Sequence, residues 1–426
     1  MVTEEKILLR SRGDFSFLAA ILIMVVLPFH YKFIPPLMVL LCLAWISENY
    51  YKLGEIFRYN SLHRLLLISF ILYFVWQIIS VLYSSDIQMG WSNIFGRLSL
   101  LIFPVILFKP GVRIRSNALN LLRVFTLSTL AYVISCFGYA LYRSLDFNNG
   151  ALSFNPHPVD EYWINYFFGT DLTYSIHPSY LSMYVLISVF ISFELWYDKS
   201  LKKGFRIGWL IIGSLLFISI YFISSRAGIL AAIATIAFYA INKIINRKKS
   251  RIIWMSIILI LIFSLPLIRN NDRVNLLLQG FSKEKGYELR RQDERLIVWR
   301  SAVEIIKKHP VFGVGIGDVR TELVKEYNRA GEDKLEKERL NAHNQFLEVL
   351  LEGGMVGFSV FLLVFGSMIF IAIDEKNLML GMFVIMMIIF FMFETVLYRL
   401  AGVSFFSLFS FLLLNINGPG HEFLEK

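Results

Sequence analysis

The chain has 426 residues, of which 56% are hydrophobic and only 17% charged, and its mean hydropathy is +0.60. A soluble protein carries about 25% charged residues, so this composition excludes an ordinary soluble domain. The net charge of +10 does not make the chain a nucleic-acid binder, because its basic residues gather in short loops between apolar runs, the pattern that orients a membrane protein.

The apolar runs are continuous rather than alternating. That excludes a β-barrel and predicts an all-α polytopic membrane protein. Twelve spans are expected, at 15–29, 34–49, 65–83, 91–108, 117–142, 179–197, 207–223, 227–245, 252–269, 345–373, 377–397 and 400–415. No small-residue cleavage site follows the first run, which reads as a retained helix rather than a signal peptide. Cys42 and Cys136 both lie in apolar runs and form neither a metal spacing nor a disulfide framework.

With the N-terminus taken as cytoplasmic, the cytoplasmic side collects Lys6, Arg10, Arg12, Lys52, Arg58, Arg64, Lys109, Arg113, Arg115 and the clusters KSLKKGFR and NKIINRKKSR. The short outer loops hold little beyond Lys32, Arg143, Arg226 and Arg399. Both termini come out cytoplasmic. Two outer segments are long. Residues 143–178 are rich in aromatics, Asn, Asp and Pro, as suits an interfacial loop. Residues 270–344 form the only sizeable polar stretch. The chain thus divides into nine helices over 1–269, a large, mostly helical outer loop over 270–344, and three helices with a cytoplasmic tail over 345–426.

Within that loop, ERLIVWRSAVEIIKK (294–308) has helical spacing, with Arg295, Trp299, Ala302, Val303 and Ile306 on one face. His309-Pro310 stops it. The glycine-rich VFGVGIGD follows, then a charged helical stretch broken near Ala330-Gly331.

Chemistry centres on Asn341–Gly357, NAHNQFLEVLLEGGMVG. His343 stands at the outer end of an apolar helix, where an imidazole can take a proton from a hydroxyl near neutral pH; a helix cap is the plainer alternative. Gln345, Glu348 and Glu352 continue from it as one polar face, and polar residues at membrane depth face a cavity. Gly353, Gly354 and Gly357 suit close helix packing.

Arg226, in SSRAG, sits between apolar runs. An arginine there needs a partner, a wet pocket or a route to the headgroups, and its fork matches a phosphate. Arg295 lies on the apolar face of its helix. Its neighbour Arg291 is a further substrate contact or a solvated side chain. His177, before Pro178, either lines the same outer cavity or starts a helix. Glu394 and Arg399 pair with each other or with the site. No His/Cys cluster has metal spacing, no Gly-Lys-Ser/Thr loop is present for ATP, and no Asp-X-Asp pair sits early on an outer loop. A histidine with arginines on the outer face suits a hydroxyl nucleophile and a diphosphate leaving group, with no metal or other cofactor.

These motifs resemble the O-antigen ligase and O-antigen polymerase-like membrane proteins. The resemblance rests on His343-Asn344 followed by Gly354-Met-Val-Gly357, on SSRAG, on Arg295-Leu-Ile-Val-Trp299 with HPVFGVGIGD, and on about twelve spans with one long late loop. It implies a fold of the lipid-linked-sugar transferase type (GT-C-like) in the bacterial inner membrane, with its active site facing the periplasm.

The implied donor is a glycan on undecaprenyl diphosphate. Arg226 and Arg295 then hold the diphosphate, and His343 acts as base in an inverting, metal-free transfer. Asn344, His177 and Arg291 are further substrate-contact candidates. A lipid A core acceptor defines a ligase, another lipid-linked glycan defines a polymerase, and a protein hydroxyl is a third acceptor. A transporter is the alternative of another class; it would more often show two related halves, whereas the long loop and polar helix lie in the C-terminal half alone.

Overall fold

The computed structural model describes residues 2–49, 61–108, 112–148, 151–157, 165–246 and 288–416. The protein is an α-helical membrane protein. Seven of its described helical segments are long and apolar enough to cross a bilayer: Tyr31–Glu48, Ser61–Leu82, Ile87–Phe108, Ala118–Ser144, Pro178–Tyr197, Lys203–Ile223 and Gln345–Asp374. Four shorter apolar helices, Phe15–Phe29, Arg226–Tyr239, Leu378–Phe393 and Leu400–Asn415, occupy further expected spans. The expected span at 252–269 lies outside the described residues.

One expected span is not a single helix. Residues 87–108 fold as Ile87–Gly96 and Ser99–Phe108, broken at Arg97 (φ −110°, ψ 10°). Arg97 leaves the helix because its guanidinium is drawn into the interior, where it is 2% exposed. Its Nη1 and Nη2 donate to Glu352 Oε2 and Oε1 at 2.8 and 2.5 Å. A charge in an apolar run needs such a partner, and the bidentate fork supplies the strongest geometry for one.

The contacts sort the chain into two units that do not follow chain order: 1–44, 112–275 and 416–426 form one, and 45–111 with 276–415 the other. In the first, Pro178–Tyr197 is the central helix. Sixteen of its residues are buried, consistent with an apolar sequence that shows no polar face. It packs against Lys203–Ile223 and Ala118–Ser144, and Val2–Phe29 packs on Ala118–Ser144. A short antiparallel hairpin, Leu145–Asn148 with Ala151–Phe154, pairs Leu145 with Phe154 and Asn148 with Ala151.

In the second unit Ser61–Leu82 packs along Gln345–Asp374, which also contacts Leu378–Phe393, and Leu400–Leu412 packs on Ser99–Phe108. Stacked phenylalanines, among them Phe361–Phe391, Phe365–Phe406 and Phe383–Phe406, fill the interior between these helices. The polar helices Glu288–Lys308, Val319–Arg329 and Asp333–Glu338 pack through Val298, Ala302, Ile305, Leu323, Tyr327 and Leu335 in a cluster that Ala342 and Leu351 join. Val303 lies on the exposed side of its helix, 38% exposed. The buried stripe is therefore centred one position off the expected face, on Val298, Ala302 and Ile305.

The three glycines on Gln345–Asp374 do two different jobs. Gly353 and Gly357 face Trp76, whose Nε1 lies 2.5 and 2.6 Å from where their β-carbons would stand, and that Nε1 donates to the Gly353 carbonyl at 3.2 Å. Gly354 instead leaves the helical region (φ 60°, ψ −159°), a conformation that favours glycine. The resulting kink receives the glycine-rich turn. Val314 N–H donates to Leu351 O at 2.7 Å, and Met355 N–H donates to Pro310 O at 2.9 Å. Backbone groups freed by the kink are thereby satisfied by the loop that closes over it.

Candidate active site

His343 is built into a short, tightly held segment. Asn344 caps the Gln345–Asp374 helix, its Oδ1 accepting from Phe346 and Leu347 N–H at 2.9 and 3.1 Å. His343 just before it has φ 44°, the left-handed region that a residue with a β-carbon occupies at a cost of about 1–2 kcal/mol. Its neighbours fix this conformation. Asn341 Oδ1 accepts from His343 N–H at 3.2 Å, and Asn341 Nδ2 donates to Thr395 Oγ1 at 2.8 Å. Trp299 Nε1 donates to the Ala342 carbonyl at 3.0 Å. Ala342 N–H donates to the buried Glu348 Oε2 at 3.4 Å. Strain that its surroundings over-determine in this way is common where a side chain must be aimed.

The same region latches a second segment. Gln345, fully buried, accepts Leu397 N–H at 2.8 Å. This latch and the Asn341–Thr395 bond hold the turn after Leu378–Phe393, and with it Glu394. One Glu394 oxygen stands 3.6 Å from His343 Nδ1, the other 3.9 Å from Arg295 Nη2. Glu394 therefore links the histidine to the arginine. Its side chain is 14% exposed, against 32% for His343 and 36% for Arg295. The contact to Nδ1 is longer than a hydrogen bond.

Beside His343 lies a cavity of about 310 Å³, lined among others by Asn93, Arg320, Arg339, Glu348, Tyr398 and Arg399. Tyr327 supports its wall, donating to the Leu340 carbonyl at 3.2 Å; burial pushes the pKa of this phenol up, so it stays a donor. Among the described residues no group of three or more His, Cys, Asp and Glu is arranged to hold a metal.

The remaining expected residues are placed as follows. Arg295 joins His343 through Glu394. Asn344 was expected on substrate, but its Oδ1 is committed to the helix cap. His177 caps Pro178–Tyr197 in the first unit, its Nδ1 accepting Ser179 N–H at 3.3 Å. Arg226 opens Arg226–Asn246 in that unit and is half-buried. Ser224 turns the chain there with φ 53°, and Ser225 Oγ accepts Gly228 N–H at 3.2 Å. SSRAG is thus a turn, a cap and the arginine they present. Arg291 is helical, with its side chain outside the described residues.

Sequence reasoning missed three contributors. Arg97 carried a usable signal, a lone charge within an apolar run. Asn341 and Thr395 carried none, being ordinary polar residues until the fold brings them together.

A strained histidine and an arginine approached by one carboxylate, at the start of a helix with a polar face, stand together in a helical membrane protein. Residues 211–362 match the family model described as O-antigen ligase. That span includes Arg226, Arg295, His343 and the three glycines. The match supports glycosyl transfer of the ligase or polymerase type. No curated protein matches the chain.

Proposed function

We propose that the protein transfers a glycan from undecaprenyl diphosphate to a hydroxyl of lipid A core at the periplasmic face of the bacterial inner membrane. The observation that carries this reading is the Glu394 carboxylate shared between His343 and Arg295, with His343 itself lining a cavity. His343 Nε2 takes the acceptor O–H proton as the oxygen attacks the anomeric carbon. The bond from that carbon to the diphosphate oxygen breaks, and the electron pair leaves with the diphosphate. Attack opposite the leaving group inverts the anomeric centre.

Arg295 stabilises the departing diphosphate. Guanidinium suits it because its planar fork binds phosphate oxygens in pairs and stays charged throughout. Glu394 keeps the imidazole oriented and stabilises the imidazolium that forms. No step needs a metal, since the charge that develops is met by arginine.

The test is a deletion strain, with its surface glycolipids separated on a gel and its lipid-linked pool extracted. The expected result is bare lipid A core, with long polymer accumulating on undecaprenyl diphosphate. Core that still carries single repeat units but no ladder would make the protein a polymerase, with His343 serving a lipid-linked glycan acceptor.

A further inference from the structure

The cavity beside His343 has an uneven charge balance. Three arginines from three separate elements reach it: Arg320 in the Val319–Arg329 helix, Arg339 after Asp333–Glu338, and Arg399 before Leu400–Leu412. All three are exposed, and none of their guanidinium groups makes an ion pair or hydrogen bond with a described residue.

Several cations of the same helical cap are paired instead, although Arg300 and Lys337 are exposed without an ion pair to a described residue. Lys325 pairs with Glu322, Lys308 and Arg329 with Glu326, Lys307 with Glu304, and Lys334 with Glu294, all within 3.0 Å. The contrast holds within one helix, where Lys325 and Arg329 are paired and Arg320 is not.

The acids lining the cavity do not neutralise the three arginines. Glu352 is occupied by Arg97. Glu348 turns to the Ala342 amide. Glu338 lies near Lys334 at 3.8 Å. Arg339 also holds a left-handed conformation, φ 49°, where glycine or asparagine would sit with less strain. Tyr398 adds an exposed aromatic ring to the wall. A cavity of about 310 Å³ is at the small end for a ligand site, about 300–1,000 Å³, and suits one or two sugar rings rather than a long chain.

We propose that this cavity is the acceptor subsite and that it selects an acidic acceptor, one whose sugars carry a carboxylate or phosphate close to the hydroxyl that reacts. The arginines take the anionic group, Tyr398 stacks on a sugar face, and the acceptor hydroxyl is left at His343. The proposal rests on the glycosyl-transfer reading, and it separates the anion of the acceptor from the diphosphate of the donor, which Arg295 meets on the Glu394 side of the histidine.

The test uses the full chain in nanodiscs and the acceptor glycolipid from the deletion strain in two forms. One is native; the other is dephosphorylated and carboxyl-reduced. Wild-type protein is expected to prefer the native form by roughly ten-fold or more in kcat/KM, the scale of one charge-assisted hydrogen bond. The triple variant Arg320→Gln, Arg339→Gln, Arg399→Gln is expected to lose that preference while the donor KM changes less than two-fold. Binding of both acceptor forms to the His343→Ala protein reads the same preference without turnover.

Equal use and equal binding of the two forms by wild type overturns the proposal and leaves glycosyl transfer standing. A rise confined to the donor KM in the triple variant overturns it in favour of a diphosphate site. A preference that follows the anionic-lipid content of the nanodisc overturns it in favour of headgroup binding. Acid-selective binding without any transfer would uphold the subsite and sink the glycosyl-transfer reading instead.

Discussion

Two arginine–glutamate contacts in the same unit have opposite characters. Arg97 and Glu352 are 2% and 5% exposed and meet through two short hydrogen bonds. Arg295 and Glu394 are 36% and 14% exposed and approach only to 3.9 Å, with His343 sharing the carboxylate. The first pair is saturated: each charged group has its partner, and nothing is left to offer a ligand. The second is looser, with longer contacts and more exposure. Burial and short bidentate bonds make an ion pair part of the architecture, whereas partial exposure and longer contacts are what a reacting site needs.

Breaking the saturated pair is expected to have the largest effect. Glu352→Gln strands a buried guanidinium and should destabilise the fold by about 3–5 kcal/mol, read as a lower melting temperature in detergent. Replacing both partners with Met should recover much of that loss, because no unpaired charge remains.

Breaking the open site should act on turnover instead. His343→Gly removes the base and should lower kcat by about 10²–10⁴-fold. Glycine suits the left-handed φ, so the variant should be at least as stable as the parent. A melting curve and a turnover assay on one preparation separate the two effects. Glu394→Gln keeps the shape but removes the shared charge; kcat should fall about ten-fold with little change in melting temperature.

Trp299→Phe tests whether the backbone at Ala342 must be held. Losing that hydrogen bond should destabilise the protein by about 1 kcal/mol and lower kcat several-fold with acceptor KM unchanged.

The smallest effect belongs to an ion pair on the surface of the cap. Lys308 and Arg329 hold the Glu326 carboxyl below its ordinary value of 4.5. A carboxylate with a lowered folded-state pKa stabilises fully above the unfolded value and loses that contribution as pH falls through the folded value. Glu326→Gln should therefore cost about 0.5 kcal/mol at neutral pH and nothing in strong acid, checked by denaturant unfolding at several pH values.

The helical membrane architecture was legible from the sequence because a bilayer demands long apolar runs, and such runs survive in one dimension. The polar face of Gln345, Glu348 and Glu352 was legible for the same reason, since it interrupts one of them. Their partners were not. Arg97 is 255 residues from Glu352, and Leu397 is 52 residues from Gln345, so only the folded chain shows which charge answers which. Two expected substrate contacts, Asn344 and His177, have acceptor atoms that serve as helix caps. Both sit immediately before a helix, where capping and catalysis draw on the same residue types. The strain at His343 had no sequence signal, because backbone conformation at one residue is set by the contacts around it.

If His343 drives glycosyl transfer from a diphosphate-linked donor, release of diphosphate and transfer of glycan depend on it together. The most direct test uses purified protein with lipid-linked glycan and acceptor, counting undecaprenyl diphosphate released and glycan transferred in the same reaction. The parent is expected to release one diphosphate per glycan transferred, and a His343→Gly protein that still binds donor and still melts as the parent does is expected to release almost none. Turnover in that variant within a few-fold of the parent would rule out His343 as the base.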